Sequence, residues 1–279
     1  FATRYILLDF KMKNISTAFI NSALNQDKIE YVLEWIKKKN DALKINVNKI
    51  DFREAKLWSI NNTDLKHDTG RFFKIEGVNV KTNDKVKEWD QPIINQNEIG
   101  YLGFIIKKID GVLKFLVQAK VEPGNINFVQ LSPSVQATKS NYTLAHKGKS
   151  PAYLEYFINA QPNQILLDQL QSEQGARFLR KRNRNIIIKI DEEIELLDNF
   201  IWLTLAQIKV LMTCDNLVNM DTRTVISGIS FEHSISLEQK LNDFELGMLQ
   251  SANDKNNSIY NFDEIIKWIT VLKCTYEVS

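Results

Sequence analysis

"IGYLGFIIKKIDGVLKFLVQAKV", Ile99 to Val121, decides how this chain folds. Two runs rich in Ile, Leu, Val and Phe flank Asp110-Gly111. A two-residue turn between antiparallel strands needs φ > 0 at both central positions, and Asp-Gly tolerates this well. A hairpin is therefore expected here. In its second strand, alternation puts Gln118, Lys120 and Glu122 on one face, with Val117, Ala119 and Val121 on the other. Pro123-Gly124 closes the hairpin on one side, and Pro92 is expected to mark the turn before it. The class is α+β, centred on a curved, mixed, mostly antiparallel sheet flanked by helices.

Working outward, apolar residues from Ser16 to Lys39 fall at helical spacing and predict two short helices broken near Asn25–Asp27. "INVNKIDF", "WSINN" and "FFKIEGVNV" alternate and predict strands between Lys44 and Val80. After the hairpin, "SPAYLEYFIN" and "DQLQSEQGARFLRKRN" read as helices and "NIIIKID" as a strand. "NFIWLTLAQIKVLMTC" reads as an amphipathic helix with Asp198 or Asn199 as its N-cap. Helices are also expected over 235–252 and 261–273. "YVLEWIKKKNDALKINV" at 31–47 has an echo in "EIIKWITVLKCTYEV" at 264–278, with Trp35 aligned to Trp268.

The bulk properties exclude several classes. At 279 residues, 44% hydrophobic and 25% charged, the chain can bury a real core and is not disordered. A net charge of +2 creates no global field for nucleic acid or anionic lipid. No apolar run has the length of a membrane span. Cys214 and Cys274 have no CxxC or metal-ligand spacing, which predicts reduced thiols and a cytoplasmic setting. Residues 1–11 precede Met12 and are expected to be non-native or upstream sequence. They show no small-residue cleavage site and are set aside from the fold argument.

No GxSxG, GxGxxG or GxxxxGK[ST] pattern occurs, so a serine elbow, a dinucleotide fold and a phosphate loop are unsupported. The histidines His67, His146 and His233 are scattered, and no metal site is expected. "RFLRKRNRN" at 177–185 carries five basic residues, read either as a phosphate contact or as a solvated helix end. His67, beside Asp68 and Gly70, is placed at a strand mouth within reach of a ligand. Trp58 could stack on a base or sugar ring or pack in the core.

"WDQPIINQNEIG", "FLVQAKVEPGN", "QLSPSVQATKSNYTLAHKG", "LQSEQGARFLRKRNRN" and "NMDTRTV" occur in that order. Together they resemble the NDP-hexose 2,3-dehydratase family, from about Ile29 to Val225. The resemblance implies a Nudix-like fold in two tandem copies, each with a sugar-nucleotide pocket, one catalytic and the other a possible vestige. On that view residues 12–230 form a Nudix-like sugar-nucleotide-binding domain. Residues 231–279 are then a helical linker and the start of a truncated second copy. The rival Nudix chemistry, pyrophosphate hydrolysis, needs clustered glutamates, and "LQSEQGARFLRKRN" offers only Glu173.

The implied reaction eliminates water across C2–C3 of a dTDP-4-keto-6-deoxyhexose and needs no cofactor. The alternative is a sugar-nucleotide-binding half without activity on its own. Tyr142, His146 and Glu122 are the expected catalytic residues. Trp58, His67, Gln118, Thr138, Lys139, Ser140, Asn141, Tyr142 and Ser172 are expected to bind substrate. The expected assembly is a cytoplasmic homodimer, with neither nucleic acid nor membrane as partner.

Overall fold

The structure is a computed structural model that describes residues 18–25, 28–83, 87–138, 150–229, 247, 251, 259–271 and 276–278. In chain order the helices are α1 (residues 18–24), α2 (Glu30–Ala42), α3 (Leu154–Ile158), α4 (Leu205–Leu211), α5 (Met220–Ser227) and α6 (Phe262–Val271). The first six strands are β1 (Trp58–Ile60), β2 (Asp64–His67), β3 (Lys74–Thr82), β4 (Glu88–Asn95), β5 (Gly100–Ile109) and β6 (Val112–Val121). They continue with β7 (Val129–Ser132), β8 (Val135–Ala137), β9 (Ile165–Ser172), β10 (Arg182–Lys189), β11 (Phe200–Thr204) and β12 (Tyr276–Val278). Two compact units form. The first draws on Phe1–Lys49, Glu98–Ser172 and Arg182–Ser234, the second on Ile50–Asn97, Glu173–Lys181 and Ile235–Ser279.

The first unit is built on the expected hairpin. Asp110 and Gly111 take φ of 50° and 82°, and Ile109 pairs with Val112. The sheet order is β11-β6-β5-β10-β9, with β7 added to β6 and β8 to β5. β5 and β10 run parallel, and the other named pairs are antiparallel. This is the mixed, mostly antiparallel sheet that the sequence predicts. One face packs Phe104, Phe115 and Leu203 against Val32 and Ile36 of α2, Ile208 and Leu211 of α4, and Val225 and Ile226 of α5. The other packs Ile105, Leu116, Ile186 and Ile188 against Leu154 and Phe157 at α3. Each such fully buried side chain contributes roughly 1.5–3 kcal/mol. Gly103 makes room for α3: a Cβ there would lie 2.3 Å from the Phe157 ring. Tyr153 sits buried in the same layer, donating to Glu195 O (2.6 Å) and accepting from Leu197 N–H (3.0 Å), and burial pushes its phenol pKa up.

β5 and β6 do not stay together. They pair from the turn out to Ile106 and Phe115 and then part. Beyond that point β6 continues against β7, and β5 against β8. The β7–β8 link fills the fork. There the buried Ser134 hydroxyl accepts from Ile105 N–H (2.9 Å) and donates to Leu116 C=O (2.5 Å). One side chain thus stands in for the missing rung of the ladder.

Several sequence expectations are corrected. Residues 43–51 form no strand. A 3-10 turn follows at Phe52–Glu54, where Asp51 accepts from Arg53 N–H. Pro92 marks no turn; it lies within β4 opposite Gly77, where no second named strand needs its missing N–H. "DQLQSEQGARFLRKRN" is not a helix but β9, a turn and the start of β10, because pairing along β10 outweighs local helix propensity. "NFIWLTLAQIKVLMTC" divides into β11, against β6, and α4. The α4 cap is Thr204 in a capping box with Gln207, not Asp198 or Asn199. The echoed tryptophans both lie on helices, but a strand follows only the second. Most of 235–252 lies outside the described residues.

The second unit has the order β1-β2-β3-β12, with β4 on β3. Val78, Val80 and Ile93 form its small core, with Trp89 and Leu179 packed on it. Residues 177–179 are held to β4 by Ile94 N–H to Arg177 O (2.8 Å) and Leu179 N–H to Ile94 O (2.9 Å).

Ser134→Ala leaves a buried N–H and a buried carbonyl without their partner. The expected loss of stability is about 1–3 kcal/mol, read as a lower urea midpoint with an unchanged slope.

Candidate functional site

The fork also gathers polar groups. β6 ends at Val121, and Glu122 follows as the strand gives way to the Pro123-Gly124 turn. Glu122 Oε1 accepts from Lys120 Nζ (2.8 Å) and from Gln136 Nε2 (3.0 Å). The Gln136 amide oxygen accepts from Ser132 Oγ and from Asn219 Nδ2, each at 3.1 Å. Asn219 caps α5, accepting from Thr222 N–H at 2.9 Å, and its own N–H donates to Leu131 O at 3.0 Å. Thr222 Oγ1 also donates to Leu131 O, at 3.2 Å. A continuous chain therefore runs from the α5 cap to the Glu122 carboxylate. It fixes which way the Gln136 amide points, because every partner suits one orientation.

This arrangement leaves the two Glu122 oxygens unequal. Oε1 takes both donors, and Oε2 accepts no hydrogen bond within the described residues. The side chain is 35% exposed, so that oxygen is open to a ligand. A positioned carboxylate with one bound and one open oxygen can take a proton or accept from a hydroxyl. Across the sheet, Gln136 and Asn185 both register against Leu102. Asn185 is fully buried, donates to Gln171 Oε1 (2.5 Å), and keeps an unpaired Oδ1.

The expected site residues are distributed as follows. Gln118 lies on β6 opposite Ser132, on the face that Lys120 and Glu122 continue. Thr138 follows β8, two residues after Gln136. Ser172 ends β9 opposite Arg182 and takes no part in the Glu122 chain. Trp58 and His67 meet in the second unit, edge to face, with ring centroids 5.4 Å apart. Thr69 N–H donates to His67 Nδ1 (3.2 Å), which places the proton of the neutral ring on Nε2. Phe72 and Phe73 complete that cluster. Lys139, Ser140, Asn141, Tyr142 and His146 lie outside the described residues. Within the basic run, Arg184 is taken up internally. It forms a forked pair with Asp168 (2.7 Å twice) and donates to the Tyr101 hydroxyl (3.1 Å). Asp168 above all holds its pKa higher than usual.

Gln136, Ser132 and Asn219 escaped the sequence reading. A signal did exist: Gln136 and Asn219 fall in two of the quoted blocks, "QLSPSVQATKSNYTLAHKG" and "NMDTRTV". Among the described residues, no three His, Cys, Asp or Glu side chains are grouped as metal ligands. No described helix is long and apolar enough to cross a membrane.

A carboxylate held where a sheet divides, beside amides and hydroxyls, suits a ligand rich in hydroxyl and carbonyl groups. Residues 29–229 match the NDP-hexose 2,3-dehydratase family, and the chain belongs to it. Three curated relatives are described as dTDP-4-dehydro-6-deoxy-alpha-D-glucopyranose 2,3-dehydratase. That of Saccharopolyspora spinosa is 43% identical over 250 residues, covering 88% of this chain and 51% of the relative. That of Amycolatopsis orientalis is 45% identical over 215 residues, with coverage of 74% and 46%. That of Streptomyces violaceoruber is 42% identical over 199 residues, with coverage of 70% and 45%. The chain spans about half the length of the curated relatives it matches. Among solved structures, Ap4A hydrolase of C. elegans aligns with a TM-score of 0.29 at 14% identity, over 48% of this chain and 96% of that one. A likeness that low bears on neither fold nor function.

Gln136→Ala and Asn219→Ala, made singly and together, test the chain. Each is expected to cost about 1–2 kcal/mol in urea unfolding, Asn219→Ala partly through the lost helix cap. Because the side chains touch, the cycle should show coupling of about 0.5 kcal/mol or more. Strict additivity would show that the chain is not a unit.

Proposed function

We propose that this chain forms the sugar-nucleotide site of a hydro-lyase that eliminates water across C2–C3 of a dTDP-4-keto-6-deoxyhexose. The family match over residues 29–229 carries the reading, because it spans the whole fork and the segment after β8. The chemistry is internal to the sugar. The C4 ketone acidifies the C3 proton, and a base removes it to give an enolate. The C2 hydroxyl then leaves as water, and the resulting enol tautomerises to a 3,4-diketo-2,6-dideoxy sugar. Electrons are only redistributed, so the reading requires no redox cofactor.

Three roles need filling: a base, a donor to the developing enolate oxygen, and an acid for the departing hydroxyl. Glu122 is assigned as the base. Its open Oε2 supports this, since the donors on Oε1 position the carboxylate without occupying it. Tyr142 donates to the enolate oxygen and His146 protonates the leaving hydroxyl. Thr138, Lys139, Ser140 and Asn141 meet the diphosphate, joined by Ser172. Gln118 supports the sugar. Taken by itself, the second unit offers a stacking surface for a base or sugar ring in Trp58 and His67. The first unit is inferred to be Nudix-like, a reading supported by the parallel β5–β10 pair in an otherwise antiparallel sheet with helices on both faces. A cytoplasmic homodimer, with neither nucleic acid nor membrane as partner, belongs to the same proposal.

One observation favours a second reading. Because the chain spans about half of its relatives' length, it could bind the sugar nucleotide and need further sequence to turn it over. Incubation with dTDP-4-keto-6-deoxyglucose, followed by mass spectrometry for loss of one water, separates the two. The assay should be run on this chain and on a form extended to its relatives' length. Glu122→Gln is expected to lower kcat by roughly 10²–10⁴-fold in whichever form is active. Tyr142→Phe and His146→Ala should each lower it as well. Normal turnover by all three variants would overturn the assignment. Saturable dTDP binding by this chain without turnover would select the second reading.

A further inference from the structure

β9 forms one edge of the main sheet, and its outer side is bare. It pairs with β10 alone. Among the described residues, the backbone groups on its other side make no hydrogen bond. An unpaired edge is a row of donors and acceptors ready to take a further strand, and monomeric proteins blunt it with Lys, Pro, a bulge or a cover. β9, "ILLDQLQS", has no Lys and no Pro. Its one charge, Asp168, is met within the sheet by the forked Arg184 pair. The irregularity in its ladder lies at Ile187/Ile188, away from Ser172. Nor is the strand covered: Asp168, Leu170, Gln171 and Ser172 are exposed, Leu170 to 53%. β11, at the opposite edge of the sheet, is buried or half-buried throughout.

The side chains along this edge select what can pair with it. In register with β10, Asp168 lies opposite Ile186, Leu170 opposite Arg184, and Ser172 opposite Arg182, so all six share one face of the sheet. Arg182 is exposed, and among the described residues its side chain makes no hydrogen bond and no ion pair. A second copy of β9, laid antiparallel about a two-fold axis through Leu170, places Leu170 on Leu170. Gln169 of each copy then faces Gln171 of the other, and Ser172 faces Asp168. Arg182 stands one strand further in, two strand spacings or about 10 Å from that Asp168, with only the small Ser172 side chain between them. An Arg side chain reaches across most of that gap. Asp168 keeps a lone pair on each oxygen after its Arg184 bonds, so it can accept from both guanidinium groups. The two-fold axis makes the Arg182–Asp168 contact twice. The neighbouring registers lose it. With the axis through Asp168 the two carboxylates meet directly, which is repulsive, and with the axis through Gln169 Leu170 faces Asp168 and Ser172 faces Leu166.

We propose that β9 pairs edge to edge with β9 of a second copy of this chain, closing a two-fold dimer in which Leu170 packs on itself and Arg182 meets Asp168 across Ser172. This surface belongs to the proposed homodimer and rests on that reading. Pairing engages backbone atoms, and the Ser172 hydroxyl stays on the sheet face. A contact of one short strand is smaller than a permanent dimer interface, so association is expected to be weak and to weaken further with salt.

Sedimentation equilibrium of this chain over the micromolar to millimolar range tests it, with Leu170→Lys, Arg182→Glu and a control, Leu196→Lys, at an exposed position off the edge. A concentration-dependent monomer–dimer equilibrium is expected for the parent and for Leu196→Lys. Leu170→Lys and Arg182→Glu should each raise the dissociation constant at least tenfold, with circular dichroism and melting temperature at the parent's values. In a Cys214→Ala Cys274→Ala background, added oxidant should link Leu170→Cys into a disulfide dimer and leave Leu196→Cys unlinked. A dimer that survives Leu170→Lys and Arg182→Glu unchanged overturns the β9 surface and leaves the homodimer standing. A monomer across the whole range overturns both. Should Leu170→Lys fail to fold, the cysteine variants decide, because a folded Leu170→Cys chain that does not cross-link rules out pairing through Leu170.

Discussion

A single hydroxyl lets the main sheet divide. β5 and β6 begin as one hairpin and end against different partners, and at the point of separation a backbone N–H and a backbone carbonyl lose their ladder neighbours. Both are buried, where an unpaired group costs roughly 1–3 kcal/mol. Ser134 answers both, through Ile105 and Leu116. Without that bridge the insertion of β7 and β8 would leave both groups without that partner. With it, the end of β6 is directed into a polar corner where Glu122, Gln136 and Asn219 meet. The packing and the proposed chemistry thus share one support.

The parts of the fold legible in the sequence were those governed by neighbouring residues. Asp110-Gly111 named its own turn, and the alternation after it assigned the faces of β6. The break between α1 and α2 was equally local. The misread segments were those in which a distant strand decides. Phe200–Thr204 has the apolar spacing of a helix, yet β6 offers it a ladder, and the Thr204–Gln207 capping box starts the helix only afterwards. Residues 168–172 and 182–183 are strand because β9 and β10 pair with each other, a relation no window of local sequence contains, whereas residues 185–189 of β10 fall in "NIIIKID", which reads as a strand. Pro92 looked like a turn, and an edge position in β4 absorbs it.

The candidate site divides along the same line. Glu122 could be singled out because alternation and Pro123-Gly124 put a carboxylate at a strand end. Its partners could not, because Asn219 and Gln136 are 83 residues apart in sequence. Trp58 and His67 were picked separately, and the β1–β2 pairing brings them together, with Trp58 opposite His67 in register. The basic run at 177–185 shows how composition misleads when residues are counted as a group. Arg184 is committed to Asp168 and Tyr101, whereas Arg180 stands at a pocket in a strained backbone. Residues of equal charge in one short run have different physical roles.

The corner at the sheet's division is the proposed seat of the sugar nucleotide. It is tested most directly by titrating ¹⁵N-labelled chain with dTDP-4-keto-6-deoxyglucose and following the side-chain amide resonances of Gln136 and Asn219. Both are expected to shift along one saturable curve, and Glu122→Gln is expected to alter that curve. If the ligand binds, as other resonances would report, while these two amides stay fixed, the sugar nucleotide sits elsewhere and not in this corner.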